Sequence, residues 1–273
     1  MKFTKMQGTG NDFVILEDFD EALKGNQNEL AKKLCDRRFG IGADGVLFVR
    51  KSDAADIKMD IVNADGSEAA MCGNGIRCFA KYVYDEGIVK SNIIKIETGD
   101  GIKIAHLTLE NSEVSGITID MGNYSLDPKD AKINVQEKIV NKRINVNDKE
   151  YSVTSMLMGV PHTAIMCKLD EVDVTEGKAI EKCELFIDGT NVNFCEVVNE
   201  DTIKVKTWER GAGPTLACGT GSCASVVATN LLGFTNRKVR VIVPGGEMFI
   251  EVSDNSVFMT GPAVTVFKGE ITI

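Results

Sequence analysis

Residues 61–75 read IVNADGSEAAMCGNG and residues 207–221 read TWERGAGPTLACGTG, and laying one on the other decides how the chain is built. Asn63 and Glu209 each stand nine residues ahead of a cysteine, Cys72 or Cys218, and each cysteine opens a C-G-x-G turn. Behind each turn the apolar residues fall at i, i+3, i+4, i+7: Ile76, Phe79, Ala80 and Val83 in one stretch, Ala224, Val227, Ala228 and Leu231 in the other. That spacing predicts two helices with an apolar face, ended by Gly87 and Gly233. One such turn would mean little, because glycine-rich turns are common. The flanks give the match its weight.

At the same shift of about 146 residues, IIKIETGDGIKIAHLTL (93–109) and KVRVIVPGGEMFIEV (238–252) both read as hairpins, with Gly99 over Gly245. Third strands are expected to end near Gly122 and Gly261. Upstream, Asp44-Gly45 falls on Asp188-Gly189 and Lys5-Met6-Gln7-Gly8 on Met156-Leu157-Met158-Gly159, each tetrapeptide leading into a β-prone segment. A helix follows in each half. The first has Asn28 as N-cap, Leu30, Leu34 and Cys35 as its stripe and Gly40 in the left-handed C-terminal position; the second runs from Val174 to Cys183. The repeat predicts an α/β (α+β) fold of two pseudo-symmetric domains, each a mostly antiparallel β-sheet or barrel wrapped around a central helix. The expected domains are residues 1–117, with 263–273 returning as a last strand, and residues 118–262.

The chain's 273 residues suffice for two such domains without disulfide staples. A net charge of −9 with no Lys/Arg-rich run argues against nucleic acid and against an anionic membrane as partners. No apolar run approaches the ~20 residues of a bilayer span, and the start MKFTKMQGTGNDF lacks a signal-peptide pattern. A cytoplasmic protein acting on a small molecule is therefore expected. Eight cysteines without a C-x-x-C pair fit reduced thiols better than a disulfide framework or a zinc site.

Duplicated domains ordinarily pack about a pseudo-two-fold axis, which would bring Cys72 and Cys218 face to face at two helix N-termini. Backbone N–H groups and the helix dipole there favour a thiolate and a bound carboxylate. Inverting a stereocentre needs one group to take a proton from one face of a carbon and another to return one to the opposite face. Two matched thiols, one ionised, meet that demand. Glu209-Arg210 reads either as a grip on a charged substrate end or as a surface pair, and His162 either as a group that adjusts a thiol pKa or as a plain loop histidine. His106 reads as structural, Cys78 and Cys223 as packing, and Asn11 and Asn63 as turn residues. The competing class is a redox or binding protein in which Cys72 and Cys218 form a reversible disulfide. That reading leaves the polar residues around them without a task.

GTGNDFV (8–14), NADGSEAAMCGNGIRC (63–78) and ERGAGPTLACGTGSCA (209–224) resemble the motifs of diaminopimelate epimerases, over essentially the whole chain. The resemblance implies interconversion of LL- and meso-2,6-diaminopimelate, a step of lysine and peptidoglycan synthesis, with no cofactor: neither pyridoxal phosphate nor metal. It implies Cys218 as base and Cys72 as acid from LL to meso, with the roles reversed on return. Gly73, Asn74, Gly219 and Thr220 are implied to hold the reacting α-carboxylate. Asn11, Asn63, Asn193, Glu209 and Arg210 are implied to hold the distal end, with His162 and Glu209 tuning the thiols. The implied partner is an amino-acid substrate, and a homodimer is compatible with the sequence. Two positions depart from the commonest pattern: Val160, where many members have Asn, and Gly45, where many have Gln. Both bear on the distal end, and the alternative they raise is a related racemase of another amino acid.

Overall fold

A computed structural model describes residues 1–272, which form two compact units: Met1–Asp120 together with the stretch from Thr260, and Met121–Met259. In chain order the first strands and helices are β1 (Lys2–Gly8), β2 (Asn11–Glu17), α1 (Gln27–Cys35), β3 (Gly45–Arg50), β4 (Ile57–Asn63), β5 (Glu68–Ala69), α2 (Gly73–Asp85), β6 (Ile93–Thr98), β7 (Gly101–Glu110) and β8 (Glu113–Asp120). Then come β9 (Lys142–Val146), β10 (Lys149–Met158), β11 (Val160–Met166), α3 (Gly177–Glu181), β12 (Asn191–Asn199), β13 (Thr202–Glu209), β14 (Gly213–Thr215) and α4 (Gly219–Leu231). The chain closes with β15 (Lys238–Val243), β16 (Gly246–Val252), β17 (Val257–Gly261) and β18 (Val264–Glu270).

The pairings repeat element for element. β1–β2, β3–β4, β4–β5 and β6–β7 are antiparallel, as are β10–β11, β12–β13, β13–β14 and β15–β16. β2–β3 and β4–β6 are parallel, as are β11–β12 and β13–β15. β1 gains a second antiparallel partner in β18, and β10 gains one in β9. The mostly antiparallel sheet around one helix follows from the apolar content of α2 and α4. Ile76, Phe79, Ala80 and Val83 are fully buried, as are Ala224 and Ala228, and Val227 nearly so. Ten of the thirteen residues of each helix are buried, so each helix is enclosed rather than laid on a face. α2 packs on β1, β2, β3, β7 and β8, and α4 on β10, β11, β12, β13, β15 and β16. Gly87 and Gly233, at φ 69° and 73°, end the helices as their sequence positions suggest.

Several local readings differ. Leu231 is exposed rather than part of the buried face of α4. Asn28 does not cap α1; the helix opens behind Asn26, and Asn28 Nδ2 donates to the Gly66 carbonyl at 2.8 Å, tying the helix to the β4–β5 turn. Gly40 serves close approach, since a Cβ there would overlap the Lys33 carbonyl oxygen. Between β11 and β12 the expected helix shrinks to a 3₁₀ turn (Val174–Glu176) and the five-residue α3. The overlay of Asp44-Gly45 on Asp188-Gly189 is out of register. Phe13 pairs with Gly45 and His162 with Asn191, so Thr190-Asn191 is the true counterpart. The β10–β11 hairpin turns on Gly159 alone where β1–β2 uses Thr9 and Gly10, which also makes Met156 the counterpart of Met6.

Candidate active site

Cys72 and Cys218 occupy the same local position. Each is extended, at φ −141° and −112°, and each immediately precedes a buried helix. Their carbonyls accept the first intrahelical bonds, from Ile76 N and Ser222 N, both at 2.9 Å. Cys72 Sγ also accepts from Gly75 N at 3.5 Å. Gly73 and Gly219, both buried, begin the helices, so the first-turn N–H groups of each helix follow directly on a cysteine.

Side-chain partners of the two sulfurs differ in kind. Cys72 Sγ donates to Asn11 Oδ1 at 3.6 Å, and Asn74 Nδ2 reaches the same oxygen at 3.4 Å. An amide oxygen only accepts, so this contact favours Cys72 as a thiol. Cys218 Sγ lies 3.6 Å from Thr220 Oγ1, a hydroxyl able to donate to a thiolate. Cys218 is buried and Cys72 half-buried. The orientation of Asn11 is set from outside: its Nδ2 donates to Asp44 Oδ2 at 2.5 Å, and Arg37 holds Asp44 at 2.8 Å. Sequence reasoning took Asp44 only as half of a turn dipeptide and missed this task. Asp44→Ala is expected to free the Asn11 amide to turn, losing a charge-assisted hydrogen bond of ~1.5–3 kcal/mol, or about ten- to hundredfold in kcat/KM. Steady-state kinetics beside the pH dependence of Cys72 alkylation check it.

Asp12 braces the same loop, with Arg37 at 2.8 Å and Lys5 at 2.8 Å. Burial works to raise its pKa, but the hydrogen bonds from Arg37 and Lys5 outweigh it and carry the carboxyl from 3.8 to about 2. A depressed carboxylate stabilises the fold above its unfolded pKa and loses that contribution as pH falls through its folded one. The melting temperature is therefore expected to drop as pH goes from about 4 to about 2, and less steeply in Asp12→Asn.

In the second unit His162 and Asn193 are buried, and Asn193 Nδ2 lies 3.2 Å from His162 Nδ1. Burial, with the positive charge of Arg210 adding to it, pushes the His162 pKa down to about 3, so the ring is neutral. Glu209 accepts from Thr215 Oγ1 at 2.7 Å. Arg210 is exposed; its backbone N–H donates to Asn191 Oδ1 at 2.7 Å and its Nη1 to the Asp188 carbonyl at 2.8 Å. Asn63 ends β4 as Glu209 ends β13, and Asn63 Nδ2 donates to Ser67 Oγ at 3.0 Å. Cys78 and Cys223 are fully buried in the helices, and burial pushes the Cys78 thiol up to about 12. His106 is exposed on β7. Among the described residues no three His, Cys, Asp or Glu side chains gather as a metal-ligand set, and no helix is long and apolar enough to cross a membrane.

The sequence profile of diaminopimelate epimerase matches residues 3–126 and 154–266. The chain belongs to the diaminopimelate epimerase family. It is 52% identical over 269 residues to the diaminopimelate epimerase of Clostridium perfringens (strain 13 / Type A), covering 98% of each chain. It is 44% identical over 273 residues to that of Alkaliphilus metalliredigens (strain QYMF), covering 98% of this chain and 96% of the relative. Among solved structures, the Bacillus anthracis phenazine biosynthesis protein of the PhzF family superposes with a TM-score of 0.72, covering 100% of this chain and 99% of that one. At 15% identity this shows a shared fold alone. As a diaminopimelate epimerase family member the chain is an isomerase, and its two sequence departures acquire addresses. A Cβ at Gly45 would lie 2.9 Å from the Val62 carbonyl oxygen, so a longer residue there requires β3 and β4 to separate. Val160 is exposed and opens β11 where Asn11 opens β2.

Proposed function

We propose that the chain interconverts LL- and meso-2,6-diaminopimelate, moving a proton at one α-carbon with Cys218 as base and Cys72 as acid from LL to meso. The observation that carries this is the repeated placement of a cysteine before a buried helix, with opposite partners: an acceptor at Cys72 and a hydroxyl at Cys218. In this reading the first-turn N–H groups at Gly73, Asn74, Gly219 and Thr220 bind the α-carboxylate and delocalise the charge that develops as the α-proton leaves. Cys218 thiolate takes the proton, the Cys72 thiol delivers one to the other face, and the thiols leave the turnover with exchanged states. Asn11, Asn63, Glu209 and Arg210 supply amide, carboxylate and guanidinium groups suited to a zwitterionic distal end. The cysteines buried as thiols, Cys35, Cys78 and Cys195, support action in a reducing compartment, the cytoplasm.

The reading is tested by incubating reduced enzyme with LL-diaminopimelate and with a panel of other amino acids, separating stereoisomers by chiral chromatography. Conversion of diaminopimelate ahead of every other amino acid is expected; faster racemisation of another would replace the assigned substrate. Val160 adds a graded expectation. Val160→Asn should restore a hydrogen bond to a charged group, worth ~1.5–3 kcal/mol, and raise kcat/KM for diaminopimelate about tenfold or more. Unchanged kinetics, with wild type already selective, would make the position neutral.

A further inference from the structure

Under the first turn of α2 lie the apolar side chains of Phe13 and Leu47. A Cβ added at Gly75 would meet Phe13 Cζ at 3.3 Å and Leu47 Cδ2 at 3.4 Å, and Leu47 pairs with Ile61 between β3 and β4. The strand registers identify their counterparts in the second unit. Phe13 pairs with Met6 and Gly45, as His162 pairs with Met156 and Asn191. Leu47 pairs with Ile15 and Ile61, as Asn193 pairs with Ala164 and Thr207. Three equivalent positions are thus Phe, Leu and Ile in one unit and His, Asn and Thr in the other. His162, Asn193 and Thr207 are as buried as the hydrocarbons they match, at 1%, 0% and 4% exposure. The fold does not demand polarity there, since the first unit fills the same place with apolar groups. Buried polar groups disfavour folding unless satisfied, so their presence under only one turn points to a task.

The hydrogen bonds of this triad have one consistent sense. The Thr163 carbonyl can only accept, and Asn193 Nδ2 donates to it at 3.4 Å, which identifies the nitrogen end of the amide. Thr207 Oγ1 donates to the oxygen end at 3.0 Å. Nδ2 therefore also donates towards His162 Nδ1 at 3.2 Å, and a ring nitrogen that accepts leaves the proton on Nε2. His162 Nε2 is buried and has no hydrogen-bond partner among the described residues. Asn193, the middle of the triad, abuts the turn that carries Cys218, since a Cβ on Gly221 would overlap Asn193 Oδ1 and lie 3.2 Å from Cys218 Sγ.

We propose that Asn193 and Thr207 are positioning residues that hold His162 as the neutral Nε2–H tautomer, a fixed hydrogen-bond donor for an anion at the first turn of α4. The anion is a substrate carboxylate or the Cys218 thiolate. His162 on this account never takes the substrate's proton; it offers the same N–H throughout turnover. Arg210 is the charged neighbour that acts on the ring, and its positive charge works in the same direction as burial.

The test is nitrogen NMR of the full-length enzyme labelled in histidine. The chain has two histidines, so His106→Gln assigns the signals. His162 is expected to show a protonated Nε2 and a bare Nδ1 between about pH 5.5 and 8.5, without titrating. Movement of the Nε2–H signal on adding diaminopimelate assigns a carboxylate; movement with pH in ligand-free enzyme, absent in Cys218→Ser, assigns the thiolate. Asn193→Asp should reverse the tautomer by accepting from Nδ1–H, and lower kcat at least tenfold. Thr207→Val, a milder change, should give mixed tautomers and an intermediate kcat. An imidazolium or an Nδ1–H ring in wild type, an Nε2–H signal that neither condition moves, or a reversed tautomer with wild-type kcat would overturn the proposal. The kcat arm rests on the epimerase reading, whereas the ring's protonation does not, so failure of one is distinguishable from failure of the other.

Discussion

Cys72→Ala and Cys218→Ala are each expected to abolish epimerisation in both directions, with kcat falling by about 10²–10⁴-fold or to background, while the protein remains folded. Inversion needs a base on one face and an acid on the other, and each cysteine fills one of those parts in each direction. Neither can fill both. The folding expectation has its own reason. Cys72 caps α2 through a long sulfur contact of 3.5 Å, and Ser is among the strongest N-caps, so Cys72→Ser should melt no lower than wild type and still be inactive. A hydroxyl in place of the thiol keeps the shape and removes the thiol's acid–base chemistry. Near-normal turnover of any of these variants in both directions would refute a two-thiol mechanism.

Gly221→Ala is expected to lower kcat/KM roughly a hundredfold, and Gly75→Ala by no more than about tenfold, although the two glycines are equivalent in the repeat. Both lie in the first turn of a helix, where Ala is favoured over Gly by up to ~1 kcal/mol. At Gly75 the new methyl asks the Phe13 ring edge at 3.3 Å to give by a few tenths of an ångström and otherwise meets Leu47 at 3.4 Å and Cys72 Cβ at 3.5 Å. At Gly221 it overlaps Asn193 Oδ1 and presses on Cys218 Sγ at 3.2 Å, so either the amide or the thiol has to move. A displacement of about 1 Å at a reacting group is worth about 10² in rate, which exceeds the helix gain. The comparison is made by kinetics and thermal melting of the pair; equal effects at both positions would contradict the difference drawn between the turns.

What was legible in the sequence was local. The C-G-x-G turns, the i, i+3, i+4, i+7 spacing after them and the glycines at positions 87 and 233 each report on a few neighbouring residues, and the sheet wrapped around α2 and α4 follows from them. What escaped depended on the fold. A comparison at constant shift cannot follow a hairpin that turns on Gly159 alone, so Asp188-Gly189 took the place that belongs to Thr190-Asn191. Asn28 has a cap's chemistry, yet a carbonyl at Gly66, far along the chain, claims its amide. Asp44 orients Asn11 across a strand pairing, and the His162, Asn193 and Thr207 triad is assembled from β11, β12 and β13. No spacing in the sequence announces either.

The central claim is that one thiol removes the α-proton and a different thiol supplies its replacement. It is tested most directly by running the reduced enzyme on LL-diaminopimelate in deuterium oxide and reading the label at early times in both recovered substrate and product. Two separate groups predict deuterium at the inverted α-carbon of the product, with recovered substrate essentially unlabelled, because the proton returned comes from a thiol already exchanged with solvent. Product without label, or early label spread equally over substrate and product, would contradict the account.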